Sequence, residues 1–141
     1  MKTVLIFGSF DGLHEGHRHL IRTARQLGDR LVVALATDTV IATLKQRAPD
    51  RVFLERQSAL RMLEHVDEVV IGDEELGSYT IIGKVQPDVV AFGYDQDALR
   101  QDFQRHAELN QLSIQIETIS SHRPEIYKSS LLRAFKGSTL N

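Results

Sequence analysis

Cysteine is absent from the 141-residue chain, so no disulfide, thiolate zinc site or cysteine nucleophile can form. A strong charge of either sign is also lacking. Seventeen Lys and Arg stand against nineteen Asp and Glu, a net charge of −2, whereas a nucleic-acid-binding surface normally carries a marked basic excess. Long apolar runs are missing, because charged residues interrupt every stretch before the roughly 18 residues that a membrane span needs. The first apolar run, Val4-Leu5-Ile6-Phe7, is too short for the core of a secretion signal and leads straight into glycine and aspartate. Small molecules are therefore the expected partners, with no nucleic acid and no membrane, and the cytoplasm is the expected location. Proline is scarce at three residues, and the 42% hydrophobic and 26% charged content is that of an ordinary globular protein. The length suits one domain, expected over residues 1–136 with a short tail at 137–141.

What is present is an alternation of two periodicities. Short apolar runs at 2–7, 30–36, 68–71, 89–92 and 112–116 read as strands, several ended by glycine. Between them lie helical spacings. Residues 15–27 place Leu20, Ile21, Ala24 and Leu27 on one side, with Gly28 as a stop. Thr37-Asp38 offers a cap for a helix to about residue 45, and 46–51 is a polar, basic loop. Residues 54–64 have Leu54, Ala59, Leu60 and Leu63 as their apolar side. Helices are also expected at 80–85, at 95–110 (anchored by Leu99, Phe103, Ala107 and Leu109) and at 129–135. Strands alternating with helices imply parallel pairing through right-handed crossovers. The expected fold is α/β: a doubly wound, mainly parallel five-stranded sheet, Rossmann-like, with helices on both faces. Ligands in such sheets sit at the carboxyl ends of strands where strand order reverses. Residues 8–17, 37–45 and 93–96 should therefore converge.

The central segment is Gly8-Ser9-Phe10-Asp11-Gly12-Leu13-His14-Glu15-Gly16-His17. Two histidines three apart, at a strand-to-helix turn, can face one space. The helix start beside them offers free N–H groups and a partial positive charge, which suits a triphosphate. Imidazole N–H donors aimed at an α-phosphate stabilise the charge that develops when a phosphate oxygen attacks it. Two other readings stand beside this one: a His-x-x-His pair can ligate a metal, or it can lie on the surface with no role. His19, on the same helix, reads as helix surface.

This segment resembles the signature of the cytidylyltransferase-like nucleotidyltransferase superfamily, Phe-Asp-x-x-His-x-Gly-His. The resemblance implies that His14 and His17 are catalytic and that Gly8, Ser9, Phe10 and Gly16 bind nucleotide. It extends along most of the chain. Lys45 matches a triphosphate-contacting lysine after the second strand, a further catalytic assignment, and Arg56 matches a helix arginine implicated in nucleotide or phosphate contacts. Lys128-Ser129-Ser130-Leu131-Leu132-Arg133 is similar to the closing motif, in which Ser129, Ser130 and the helix start would hold the β- and γ-phosphates and Arg133 would be a further catalytic residue. Tyr127 stands where that motif has isoleucine, and Lys128 where it has its first serine.

Within the superfamily two groups carry both histidines: enzymes that move CMP from CTP to glycerol 3-phosphate, and archaeal-type FAD synthases that move AMP from ATP to FMN. Val69-Val70-Ile71-Gly72-Asp73-Glu74-Glu75, the segment from Pro87 to Gln96, and the spacing Lys45-x-Arg47-x-Pro49 resemble the second group. The first tends to have Gly-Asp-Asp-Trp where this chain has Gly93-Tyr94-Asp95-Gln96, and tryptophan is absent here. ATP and FMN are thus the favoured substrates, with CTP and glycerol 3-phosphate as the alternative. Gly93 to Gln96 would meet the base, Gln96 by pairing with its edge and Tyr94 by stacking; Asp95 would serve there or cap the next helix. Phe10, Leu13, Tyr79 or Tyr127 could line a slot for the acceptor's ring, and the loop 45–51 could meet its phosphate. Mg2+ is implied through the substrate phosphates, with no protein metal ligand. The resemblance also allows a homodimer. A silent nucleotide sensor and a flavodoxin-like or stress-protein-type binder share the fold class, but leave the paired histidines unexplained.

Overall fold

The computed structural model describes residues 1–121; the expected last helix and the closing motif, with Tyr127, Ser129, Ser130 and Arg133, lie outside them. Strands Thr3–Gly8 (β1), Arg30–Leu35 (β2), Glu68–Ile71 (β3), Val89–Gly93 (β4) and Gln115–Ile119 (β5) form one sheet in the order β3-β2-β1-β4-β5. Every pairing is parallel. The helices are Glu15–Arg25 (α1), Asp38–Lys45 (α2), Phe53–Arg61 (α3), Thr80–Val85 (α4) and Asp97–Leu109 (α5). The chain winds outward from β1 to β3, then returns to the other side of β1 for β4 and β5. Strand order thus reverses between β1 and β4, and a crevice opens at their carboxyl ends.

Side chains alternate across the sheet and divide the core in two. Val4, Ile6, Leu31, Val33 and Leu35 pack with Ile21 and Ala24 of α1 and Leu60 of α3. Leu5, Val32, Ala34, Val90 and Phe92 pack on the other face with Ile81 and Ile82 of α4 and Phe103 and Ala107 of α5. Burial on both faces explains why the central strands read as continuous apolar runs rather than as alternating ones. The doubly wound α/β fold is the one expected.

Three local expectations are corrected. β5 runs over Gln115–Ile119, three residues beyond the expected start, and pairs Gln115 with Val89. As an edge strand it is only partly buried, with Ile119 on one face of the sheet and Ile116 on the other, while the more apolar Leu112 and Ile114 pack against the core from the preceding loop. On α3, Leu54 is 69% exposed and Arg56 is fully buried. Two positions apart is about 200° around a helix, so the face that turns Arg56 and Leu60 inward turns Leu54 out. At the end of α5, Leu109 is likewise 78% exposed rather than an anchor.

Candidate active site

At the exit of β1 the chain turns into α1, and the two histidines finish that turn. His14 is the helix N-cap in extended conformation and His17 is the third helical residue. The Gly16 N–H donates to Nδ1 of His14 (3.1 Å), and the His14 N–H donates to Nδ1 of His17 (3.4 Å). This is a reciprocal capping box built from imidazoles, where Ser or Thr with Glu or Gln is usual. Its chemical consequence is specific. With Nδ1 accepting in each ring, the proton of each neutral imidazole sits on Nε2. The rings stack with centroids 3.8 Å apart, and the Phe10 ring meets His17 edge-on at 5.2 Å. Burial, then the neighbouring His14 charge, lower the His17 pKa from 6.5 to about 4, with Lys45 and Arg18 adding and a hydrogen bond at Gly12 opposing. His17 is therefore a neutral donor near pH 7.

The glycines and Phe10 of this turn serve the histidines more directly than a ligand. A Cβ on Gly16 would press on the His14 ring, and the Phe10 ring fills the space a Cβ on Gly8 would take. Phe10 is itself core, 4% exposed, and its ring supports His17 from beneath. Leu13 also packs against the core.

His14, Gly16, His17, His19 and Leu20 form one wall of the crevice. The facing wall is Gly93, Tyr94 and Asp95 after β4, with Ile119, Ser120 and Ser121 at the end of β5. His19, expected as plain helix surface, faces this crevice, and its Nε2–H donates to the Ser120 carbonyl (3.1 Å). Its signal in the sequence was weak: nothing in the local pattern says that β5 ends beside α1. Burial raises the Asp95 pKa, against the pull of its own backbone amide and of His14. The N-cap of α5 is Gln96, which makes no side-chain capping bond.

Gln96 bridges the two strands at the switch point. Its Nε2 donates to the Phe7 carbonyl (2.9 Å) and its Oε1 accepts from the Gly93 N–H (2.9 Å). The side chain thus substitutes for a ladder rung where β1 and β4 diverge, with one amide N–H and one oxygen lone pair beyond these two bonds. Arg56 corrects a second expectation. Its Nε donates to the Arg51 carbonyl (2.9 Å), Nη1 to the carbonyls of Ser9 (3.0 Å) and Ala36 (2.8 Å), and Nη2 to Oδ1 of Asp38 (2.6 Å). A fully buried guanidinium so engaged joins the exits of β1 and β2 to α2 and α3, and Ser9 enters through its carbonyl.

Asp11 fastens the basic loop to the same turn. Its Oδ2 accepts from the Asp50 N–H (2.7 Å) and its Oδ1 from the Arg51 N–H (2.9 Å). Burial would raise its pKa, but those bonds and the charges of Arg56 and Lys45 outweigh it and hold the carboxyl below the usual range. Lys45, in the last turn of α2, acts on both Asp11 and His17 through its charge, although it does not line the crevice. Thr37 caps α2 as expected, accepting from the Val40 N–H (3.1 Å). Tyr79 lies elsewhere: it packs in the core against Phe103, and its hydroxyl donates to Asp102 on α5 (2.7 Å). It lines no acceptor slot at this crevice. Among the described residues no group of three or more His, Asp or Glu is placed to hold a metal ion.

A parallel doubly wound sheet whose switch point carries two stacked imidazoles at a helix start defines a class, the α/β nucleotidyltransferases. The chain belongs to the cytidylyltransferase-like family, whose model matches residues 5–135. The FAD synthase of Thermococcus sibiricus is 38% identical over 137 residues, covering 94% of this chain and 87% of its own length. That of Pyrococcus horikoshii is 35% identical over 133 residues, with the same two coverages of 94% and 87%. Among solved structures, the lipopolysaccharide core biosynthesis protein of Thermoplasma volcanium superposes with a TM-score of 0.78 at 30% identity, covering 86% of this chain and 98% of that one. Pantothenate synthetase of Thermus thermophilus, at 16% identity and a TM-score of 0.63 over 89% of this chain and 58% of that one, shares the fold.

Proposed function

We infer that the chain transfers AMP from ATP to FMN, giving FAD and pyrophosphate. The observation that carries this reading is full-length similarity to FAD synthases, 35–38% identical over 94% of the chain, in a chain whose capping histidines present Nε2–H donors. An FMN phosphate oxygen attacks the α-phosphorus, the bond from that phosphorus to the β-phosphate oxygen breaks, and pyrophosphate leaves with the electron pair. No protein nucleophile is needed, so positioning and charge stabilisation carry the rate. His14 and His17 donate to the α-phosphate oxygens as charge grows there, and Lys45 adds a fixed positive charge. The wall from Gly93 to Asp95 receives the nucleoside. Ser129, Ser130 and Arg133 are assigned to the β- and γ-phosphates by their match to the closing motif. Mg2+, implied through the substrate phosphates, would supply charge neutralisation to the triphosphate without a ligand set from the protein.

The test is pyrophosphate release with ATP or CTP against FMN or glycerol 3-phosphate. Product from ATP and FMN is expected; product only from CTP and glycerol 3-phosphate would reverse the substrate assignment. His17→Ala should lower kcat by at least about a hundredfold while changing ATP affinity much less. Equal losses in kcat and affinity would make His17 a ground-state contact.

A further inference from the structure

Arg51 is exposed, yet its backbone is held from both directions. Its N–H donates to Asp11 and its carbonyl accepts from the buried Arg56. These bonds fix where the side chain leaves the loop. The guanidinium lies over Gly12, with Nη1 2.9 Å from the position a Cβ there would occupy, and Gly12 has φ +92°. Only glycine both adopts that backbone and leaves that space. The three cations of the loop are not equivalent. Arg47 is paired with Asp50 (3.4 Å), whereas Lys45 and Arg51 have no carboxylate at ion-pair distance among the described residues. The Asp11 carboxylate, which might have neutralised Arg51, is occupied by the two backbone N–H groups.

An exposed guanidinium with no carboxylate at ion-pair distance among the described residues thus stands over Gly12 in the histidine turn, while the crevice for the nucleoside is lined by α1 and by the ends of β4 and β5. The reaction brings two phosphates together, and their repulsion must be offset where the acceptor enters. We propose that Arg51 binds the phosphomonoester of the acceptor, its planar fork gripping two phosphate oxygens. This rests on the AMP-transfer reading above and adds to it the residue that selects a phosphorylated acceptor. Gly12, at φ +92°, carries the turn's backbone beneath the Arg51 guanidinium.

The experiment compares wild type and Arg51→Ala for binding of FMN and riboflavin by flavin fluorescence, together with KM for ATP and FMN. Wild type should prefer FMN to riboflavin. Arg51→Ala should weaken FMN by at least about tenfold and leave riboflavin binding and the ATP KM within about twofold, with Arg51→Lys in between. The Asp11 and Arg56 bonds use Arg51 backbone atoms, so the variant retains them, and an unchanged thermal midpoint confirms its fold. An unaltered FMN-to-riboflavin preference, or equal weakening of ATP and FMN, overturns the role of Arg51 alone. Failure of wild type to make FAD from ATP and FMN overturns the AMP-transfer reading and this proposal with it.

Discussion

A methyl group on residue 16 would sit 3.0 Å from Cε1 and 3.2 Å from Nδ1 of His14. The helix itself would gain from that change, since alanine is favoured over glycine by about 1 kcal/mol inside a helix. Gly16→Ala therefore sets stability against geometry. Its thermal midpoint should hold or rise, while kcat falls by about tenfold or more as the His14 ring is pushed off its cap. A variant with full turnover would show that the ring can shift without consequence. The histidines and their glycine were legible in the sequence because their spacing is itself the geometry. Gln96 and Arg56 were not. A residue-by-residue resemblance gives position along the chain but carries no information on burial, and both side chains bond to backbone groups that only the fold brings near them.

Among the elements, α3 shows how one polar residue can decide a helix's orientation. Its apolar residues alone suggested a face centred on Leu54 and Leu60, but Arg56 turns inward to reach carbonyls at the exits of β1 and β2. The ion pair with Asp38, whose side chain is 44% exposed, is not what a lysine would remove, because the positive charge stays beside that carboxylate. The three carbonyl bonds dominate, each costing about 1–3 kcal/mol if its buried acceptor is left unpaired. Lysine keeps the charge but cannot fork to groups on several elements. Arg56→Lys should thus lower unfolding free energy by roughly 3 kcal/mol, read as a fall in the urea midpoint at constant m. A loss below about 1 kcal/mol would mean that water replaces those bonds. β5 was placed three residues early for a related reason: apolar content marks what is buried, and Leu112 and Ile114 are buried from a loop.

For the molecule as a whole, the alternation of strands and helices fixed the fold class, but strand order came only from the coordinates, since many doubly wound orders share that alternation. Whole-molecule stability should carry the mark of the imidazole cap. Above pH 6.5, His17 is neutral both folded and unfolded, and its contribution is fully present. As pH falls from 6.5 toward about 4, the unfolded chain takes up a proton that the folded one refuses, and stability is lost. His17→Gln keeps an acceptor at the third helical position and should flatten this part of the profile in urea titrations. Parallel profiles for the two proteins would remove His17 as the source.

The sheet order has one more consequence. β1 pairs with β2 over six positions but with β4 over only three, Val4–Val89, Leu5–Val90 and Ile6–Ala91. Each wall of the crevice belongs to a different side of that narrow joint. In chain order the histidine turn precedes β4 and β5, so it has no facing wall until those strands dock. A bound nucleotide would therefore touch both sides of this joint and act as a rivet across the thinnest join of the described sheet.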